Sequence, residues 1–303
     1  MDTALIEFLQ TKVPSEYIFS DEPMDKHTTF RVGGSADCFV EIGTVEELSS
    51  IIRYLKQTER NYIVLGNGSN VLVGDKGFRG VVLHMGKRFS DIVVDGTRIK
   101  AQAGAMLTVV SKTAAKHSLT GLEFAAGIPG TIGGAIVMNA GAYDGEMKQV
   151  VASVTVLSDS GEVMVLSNET MNFGYRTSVI KNRPFIVLET ELVLQEGNVS
   201  EIEAKMADFN EKRRSKQPLE FPSAGSTFKR PEGYFAGKLI MDAGLRGFRI
   251  GGAQVSEKHC GFIINKGNAT AADISELMDE VTERVKERFF VTLEPEVIRI
   301  GEF

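Results

Sequence analysis

The stretch from Phe124 to Tyr143, FAAGIPGTIGGAIVMNAGAY, constrains the fold more than any other part of the chain. It runs for twenty residues between Glu123 and Asp144 without a formal charge. That length matches the ~20 apolar residues of a membrane span, but the content does not. Gly127, Pro129, Gly130, Gly133, Gly134, Asn139 and Gly141 break any helix. The stretch is therefore expected to fold as tight turns inside protein. Glycines at 127, 130, 133 and 134 leave backbone N–H groups bare, and such turns form concavities that suit an anion such as a diphosphate. A bulged, buried strand pair would use the same residues, so both readings stay open on this stretch alone.

A second glycine-rich turn, Gly66-Asn67-Gly68-Ser69-Asn70, follows the apolar run NYIVLG. No G-K-[ST] follows it, and position 71 is Val, so it is neither a P-loop nor a dinucleotide G-x-G-x-x-G. An ordinary Asn-Gly hairpin turn is the alternative.

Composition narrows the possible partners. At about 150 residues per domain, 303 residues predict two domains. Formal net charge is −6, which disfavours nucleic acid and leaves anionic ligands to local cations and backbone N–H groups. Cys38 and Cys260 are far apart, and the four histidines show no H-x-x-x-H pairing, so neither a disulfide framework nor a metal site is expected. The start, MDTALIEFLQ, is acidic with a short apolar run, unlike a signal peptide. Without a credible membrane span either, a cytoplasmic protein is expected.

Periodicity and capping signals sketch the elements. A short helix is expected over residues 1–12, and HTTFRVGG leads into a strand ADCFVEI. Thr44 and Glu47 spell a capping box before Leu48, Ile51, Ile52 and Leu55. The strands GVVLHM, DIVVD and RIKAQAG precede a helix near 106–117. VASVTVLS and EVMVLS read as a hairpin about Asp159-Ser160-Gly161, and FIVLETELVL as a strand. A boundary is expected near Gly197-Asn198. Beyond it, Ser200 and Glu203 spell a capping box for a helix with Ile202, Met206 and Phe209 on its apolar face. That helix ends in Lys212, Arg213, Arg214 and Lys216, which a helix C-terminus favours whatever else they do. A helix over 271–289 and a closing strand EVIRIGEF complete the chain.

Arg176, Ser226 and Glu296 each sit in a turn beside glycine or proline. Singly, each reads equally as surface, cap or solvated residue. Together, GNGSN, GIPGTIGGAIVMNAGAYDGE, FGYRTS, AGSTFKRP, AQVSEKHCGFIIN and LEPEV resemble, in order, the UDP-N-acetylenolpyruvoylglucosamine reductase family in its shorter subtype. The resemblance runs from about His27 to Ile300. It implies an α+β chain with a two-part FAD-binding region of the vanillyl-alcohol-oxidase (PCMH) type over 1–197. A smaller α+β substrate-binding domain over 198–303 would follow, its last strand returning to the FAD region. By the same resemblance, Gly66 to Asn70 and Gly127, Pro129, Gly130, Thr131, Gly133, Gly134, Asn139 and Gly141 cradle non-covalent FAD. NADPH would be the hydride donor and UDP-N-acetylenolpyruvoylglucosamine the acceptor. Arg176 would meet the charge that develops on the substrate carboxylate, Ser226 donate a proton and Glu296 support the enol form. Tyr175, Arg213, Lys216 and Arg230 would touch the substrate, Arg230 standing where longer members carry Asn. Another flavin oxidoreductase on the same scaffold, or a non-catalytic flavin or sugar-nucleotide binder, are the rival readings.

Overall fold

The computed structural model describes residues 3–303. The described chain packs as two compact units, neither continuous in sequence. Unit 1 takes the described residues through Ser20, then Cys38–Asn67 and Gly80–Lys212; unit 2 takes Asp21–Asp37, Gly68–Arg79 and Arg213–Phe303. The expected boundary at Gly197-Asn198 lies inside unit 1.

Unit 1 is built on a five-stranded antiparallel sheet. Its strand order is Val163–Ser167, Val151–Leu157, Ile186–Val193, Arg98–Gln102, Ile92–Asp95. The first pair is the expected hairpin, closing at Leu157↔Val163 with Gly161 at φ +84°. A second sheet pairs Tyr62–Leu65 in parallel with the Val81–His84 part of its neighbour. The helix Val45–Gln57 buries Leu48, Ile51, Ile52 and Leu55, the face its periodicity marks. Thr44 caps it, its Oγ1 accepting the Glu47 N–H at 3.1 Å. The box does not close, however. The Glu47 carboxylate instead accepts the Gly43 N–H, one residue before the cap, at 2.7 Å and pairs with Arg88 at 3.1 Å. The expected Ser200 box is also replaced. The helix runs Val199–Lys216, and Asn198 Oδ1 accepts the N–H groups of Ser200 and Glu201 (2.9 and 3.3 Å), so Asn198 caps two residues earlier. Of the expected helix 1–12, Thr3–Gln10 is helical, and residues 1 and 2 lie outside the described residues.

The uncharged stretch departs from expectation at its centre. Ile132–Val137 forms a six-residue helix despite Gly133 and Gly134. Tertiary packing overrides the poor propensity. The Gly133 N–H donates to Ala103 O at 2.8 Å, and a Cβ on Gly133 would stand 3.1 Å from the Ala103 Cβ, so glycine eases this close approach. Ile132, Ala135 and Ile136 are buried beneath the helix.

Unit 2 has a three-stranded antiparallel sheet, Arg249–Ile250, Ala253–Val255, Ile263–Asn265. The helix Ala271–Phe289, the span expected from sequence, buries Ile274, Leu277, Met278, Val281 and Val285 in a core shared with Phe30, Leu72, Phe228 and Ile240. Its N-terminus is held twice. Thr270 and Asp273 close a capping box, and the Asp75 carboxylate accepts the N–H groups of Ala271 and Ala272 (2.7 and 2.8 Å). Burial works to raise the Asp273 pKa, but N–H donors from Thr270 and Gly252 and the Thr270 hydroxyl outweigh it and hold it below the usual value. The closing strand Ile298–Ile300 pairs in parallel with Val71–Val73. Local periodicity did not reveal the short helix Ala236–Asp242 or the Arg249–Asn265 sheet.

Candidate functional site

In unit 1 the two glycine-rich turns meet. Asn67 Nδ2 donates to Pro129 O at 2.6 Å, and a Cβ on Gly66 would overlap Thr131 Oγ1. The site therefore joins Gly66 and Asn67 to Pro129 and Thr131 at a spacing only glycine permits. Gly134 differs: it is exposed, and a Cβ there would meet nothing nearer than Thr131 Oγ1 at 3.8 Å. Protein packing does not account for its bareness, whereas a bound group lying against it would. Gly141 lies on the short strand Gly141–Ala142, paired with Gly145–Glu146, where a Cβ would stand 2.6 Å from Gly145 O.

Asn139 is 1% exposed, and its side-chain bonds all go to protein. Nδ2 donates to Glu146 Oε2 (3.0 Å) and Gly174 O (3.1 Å), and Oδ1 accepts the Lys148 N–H (2.9 Å). Both amide hydrogens are thus used, which leaves its side chain no donor for a cofactor.

Tyr175 and Arg176 form the tip of a tight turn closed by Gly174 N–H to Thr177 O (3.0 Å) and Thr177 N–H to Gly174 O (3.3 Å). Arg176 holds φ +56°, a left-handed conformation that costs a side-chain-bearing residue roughly 1–3 kcal/mol and clusters at functional sites. Its Nη2 donates weakly to Gly141 O (3.4 Å), and its guanidinium lies 5.1 Å from the Tyr175 ring, which is 53% exposed.

In unit 2, Ser226 and Glu296 lie on neighbouring extended segments. The Glu296 N–H donates to Thr227 O at 2.8 Å, the Lys229 N–H to Glu294 O at 2.8 Å, and Phe228 bridges Pro295. Thr227 and Phe228 are buried, Thr227 Oγ1 accepting the Ile263 N–H at 3.0 Å. Pinned on that side, and preceded by Gly225 at φ +74°, Ser226 is left exposed. Glu296 is tied a second time: its carbonyl accepts Asn70 Nδ2 at 3.1 Å, and Ile298 N–H donates to Asn70 O at 3.0 Å. Gly68, at φ +59°, packs its backbone against His27 O, so the Gly68–Asn70 half of the turn belongs to this unit.

The expected substrate cations Arg213, Lys216 and Arg230 belong to unit 2. Arg213 is 9% exposed, while Lys216 is exposed on the last turn of the same helix. Arg230 is exposed, its Nε donating to Tyr234 O (3.3 Å) and its guanidinium 3.9 Å from the Phe235 ring. Lys258, which sequence reasoning passed over, donates to Arg214 O at 2.7 Å and adds a cation beside that helix end. Burial holds the neighbouring His259 pKa below 6.5, and its neutral ring accepts the Gly261 N–H at Nδ1 (3.2 Å). No cluster of potential metal ligands and no helix long and apolar enough to cross a membrane occur among the described residues.

A family model described as an FAD binding domain matches residues 36–167, and one described as the C-terminal domain of UDP-N-acetylenolpyruvoylglucosamine reductase matches residues 217–300. The wild-type glucose dehydrogenase Phl p 4.0202 shares the fold at TM-score 0.51, with 15% identity over 65% of this chain and 44% of that one. The crystal structure of UDP-N-acetylenolpyruvylglucosamine reductase from Thermus caldophilus matches at TM-score 0.79 and 37% identity, covering 94% of this chain and 98% of that one. The UDP-N-acetylenolpyruvoylglucosamine reductase of Caldanaerobacter subterraneus subsp. tengcongensis is 50% identical over 302 residues, 100% of both chains. With half of its residues shared along its whole length, the chain belongs to the UDP-N-acetylenolpyruvoylglucosamine reductase family.

Proposed function

We propose that the protein is an NADPH-dependent FAD enzyme that reduces the enolpyruvyl group of UDP-N-acetylenolpyruvoylglucosamine to give UDP-N-acetylmuramate for peptidoglycan synthesis. The observation that carries the reading is the pairing of the Ser226 and Glu296 segments through Thr227 O and the Glu296 N–H. It runs the segments that carry the Ser226 hydroxyl and the Glu296 carboxyl side by side, an arrangement that suits proton delivery to a substrate carbon. FAD fits the residues present: Gly134 is bare without a packing reason, and Gly66, Asn67, Pro129 and Thr131 close into one backbone cradle. These residues, with Gly127, Gly130 and Gly133 of the same unit, are assigned to hold it. The chemistry FAD supplies is acceptance of hydride from NADPH and its delivery to the methylene carbon of the enolpyruvyl ether.

The side chains do the rest. Electrons pushed toward the substrate carboxylate meet Arg176, which stays charged and binds carboxylates bidentately. Ser226 gives its hydroxyl proton to the adjacent carbon. Glu296 supports the enol form, which a carboxyl does as a donor only when protonated. Lys216, Arg213, Arg230 and Tyr175 are assigned to the anionic sugar nucleotide. The free thiols Cys38 and Cys260 suit a reducing compartment, and we place the enzyme in the cytoplasm.

NADPH consumption with and without the enolpyruvyl sugar nucleotide tests the function, and Ser226→Ala tests the roles. Flavin reduction by NADPH should stay near wild type in that variant. Reoxidation by the sugar nucleotide should slow ~10²–10⁴-fold, the usual contribution of general acid catalysis. NADPH consumption indifferent to the sugar nucleotide would reject the substrate. Equal slowing of both halves would make Ser226 structural.

A further inference from the structure

Asn139 is the most heavily used buried amide around the Arg176 turn. Its bonds reach three separate segments: Glu146 on the short strand, Lys148 beyond it, and Gly174 at the base of the turn. The amide orientation follows from these partners, since a flip would set its oxygen against the Glu146 carboxylate and the Gly174 carbonyl. Glu146 pairs across the hairpin with Gly141, and Gly141 O accepts from Arg176 Nη2. The contacts form a closed circuit: Asn139, Glu146, Gly141, Arg176, Gly174 and back to Asn139. Beyond the turn, Ser178 Oγ donates to Val137 O at 3.0 Å, two residues before Asn139. Asn139 and Arg176 both hold left-handed backbone, at φ +42° and +56°. Such strain persists only where the surroundings over-determine it, and this circuit is what does so.

We propose that Asn139 and Glu146 are positioning residues for Arg176, fixing the turn so that its guanidinium is aimed before substrate arrives. This rests on the assignment of Arg176 to the substrate carboxylate. It gives Asn139 a role in the second half-reaction rather than in cofactor binding.

The test exchanges donor and acceptor. Asn139→Asp sets a carboxylate against Glu146 and Gly174 O. In Asn139→Asp/Glu146→Gln the new amide donates back to Asp, while its oxygen still accepts the Gln149 N–H of the capping box. Asn139→Asp should slow flavin reoxidation by the enolpyruvyl substrate roughly 10–100-fold at saturation, the size expected from misaiming a catalytic group. Flavin reduction by NADPH and FAD content should hold, and the double variant, in which Gly174 O still faces a carboxylate, should recover only the share of the rate that the Glu146 contact carries. Should Asn139→Asp fail to fold, Glu146→Ala, at a part-exposed site, should give the same split. Unchanged reoxidation in Asn139→Asp, or equal slowing of both halves, would each overturn the proposal. Arg176→Ala, run alongside, separates the two failures: its slow reoxidation beside a normal Asn139→Asp rejects the positioning role alone. Normal reoxidation in Arg176→Ala rejects the Arg176 assignment and the positioning role with it.

Discussion

Backbone strain in unit 1 gathers near Arg176. Asn139, Tyr143, Asp144 and Arg176 hold φ of +42°, +51°, +65° and +56°, none of them glycine. Tyr143 is steadied by stacking on Phe209, centroids 4.6 Å apart and planes 7° from parallel. Each of these turns carries a side chain where glycine would hold the same backbone without strain. A different residue-scale effect is set by His259. Burial favours its neutral form, so its folded pKa lies below 6.5 while the unfolded chain titrates near that value. The sign follows from linkage: the contribution is fully present above the unfolded pKa. As pH falls from there through the folded pKa, the unfolded state binds the proton first and stability is lost. His259→Asn keeps an acceptor near Nδ1 for the Gly261 N–H but cannot titrate. Urea midpoints at about pH 7.5 and about pH 5.5 should fall further for wild type than for the variant. Equal falls would show that His259 does not carry this acid sensitivity.

Among the elements, the helix Ala271–Phe289 is the most completely specified, yet it ends poorly. Phe290 occupies the left-handed position after the helix, at φ +57°, its N–H bonded to Lys286 O, and its side chain is 92% exposed. Glycine is the usual residue there. Left-handed backbone costs an L-residue roughly 1–2 kcal/mol, against about 0.5–1 kcal/mol for the extra freedom of unfolded glycine. Phe290→Gly should therefore stabilise the protein by about 0.5–1 kcal/mol, read as a higher denaturant midpoint at unchanged slope. A lower midpoint would mean that the ring is covered in solution. The short helix Ile132–Val137 presents the reverse case, with weak propensity held by packing. At Gly133 a side chain would press on Ala103, its Cβ 3.1 Å from the Ala103 Cβ.

At the scale of the whole molecule, the cofactor is predicted to be a stability determinant. A ligand that binds only the folded chain adds RT ln(1 + [L]/Kd), about 2.7 kcal/mol at a hundredfold excess over Kd. Removing FAD should lower the melting temperature, and added FAD should restore it in a concentration-dependent way. Denaturation should release the flavin to the supernatant. Flavin retained on the unfolded chain would indicate covalent attachment, and a melting temperature indifferent to FAD would argue against the cradle at Gly66 and Thr131.

Sequence alone determined what is local. Thr270, Asp273 and the apolar face of Ile274 to Val285 lie within one helix, so a cap and a period sufficed to place it. The hairpin about Gly161 was legible for the same reason, and the ordered motifs were enough to indicate the family. Tertiary structure decided whatever depends on a distant partner. Asn70 meets Glu296 across 226 residues, and Val71–Val73 pairs with Ile298–Ile300, which draws residues 68–79 into unit 2. Glu47 turned its carboxylate to the Gly43 N–H and the distant Arg88, and Asn139 turned its amide to Glu146 and Gly174. A hydrogen-bonding group in the sequence shows its capacity but not its partner; which acceptor it meets is settled only when packing brings one within reach and excludes the water that would otherwise compete.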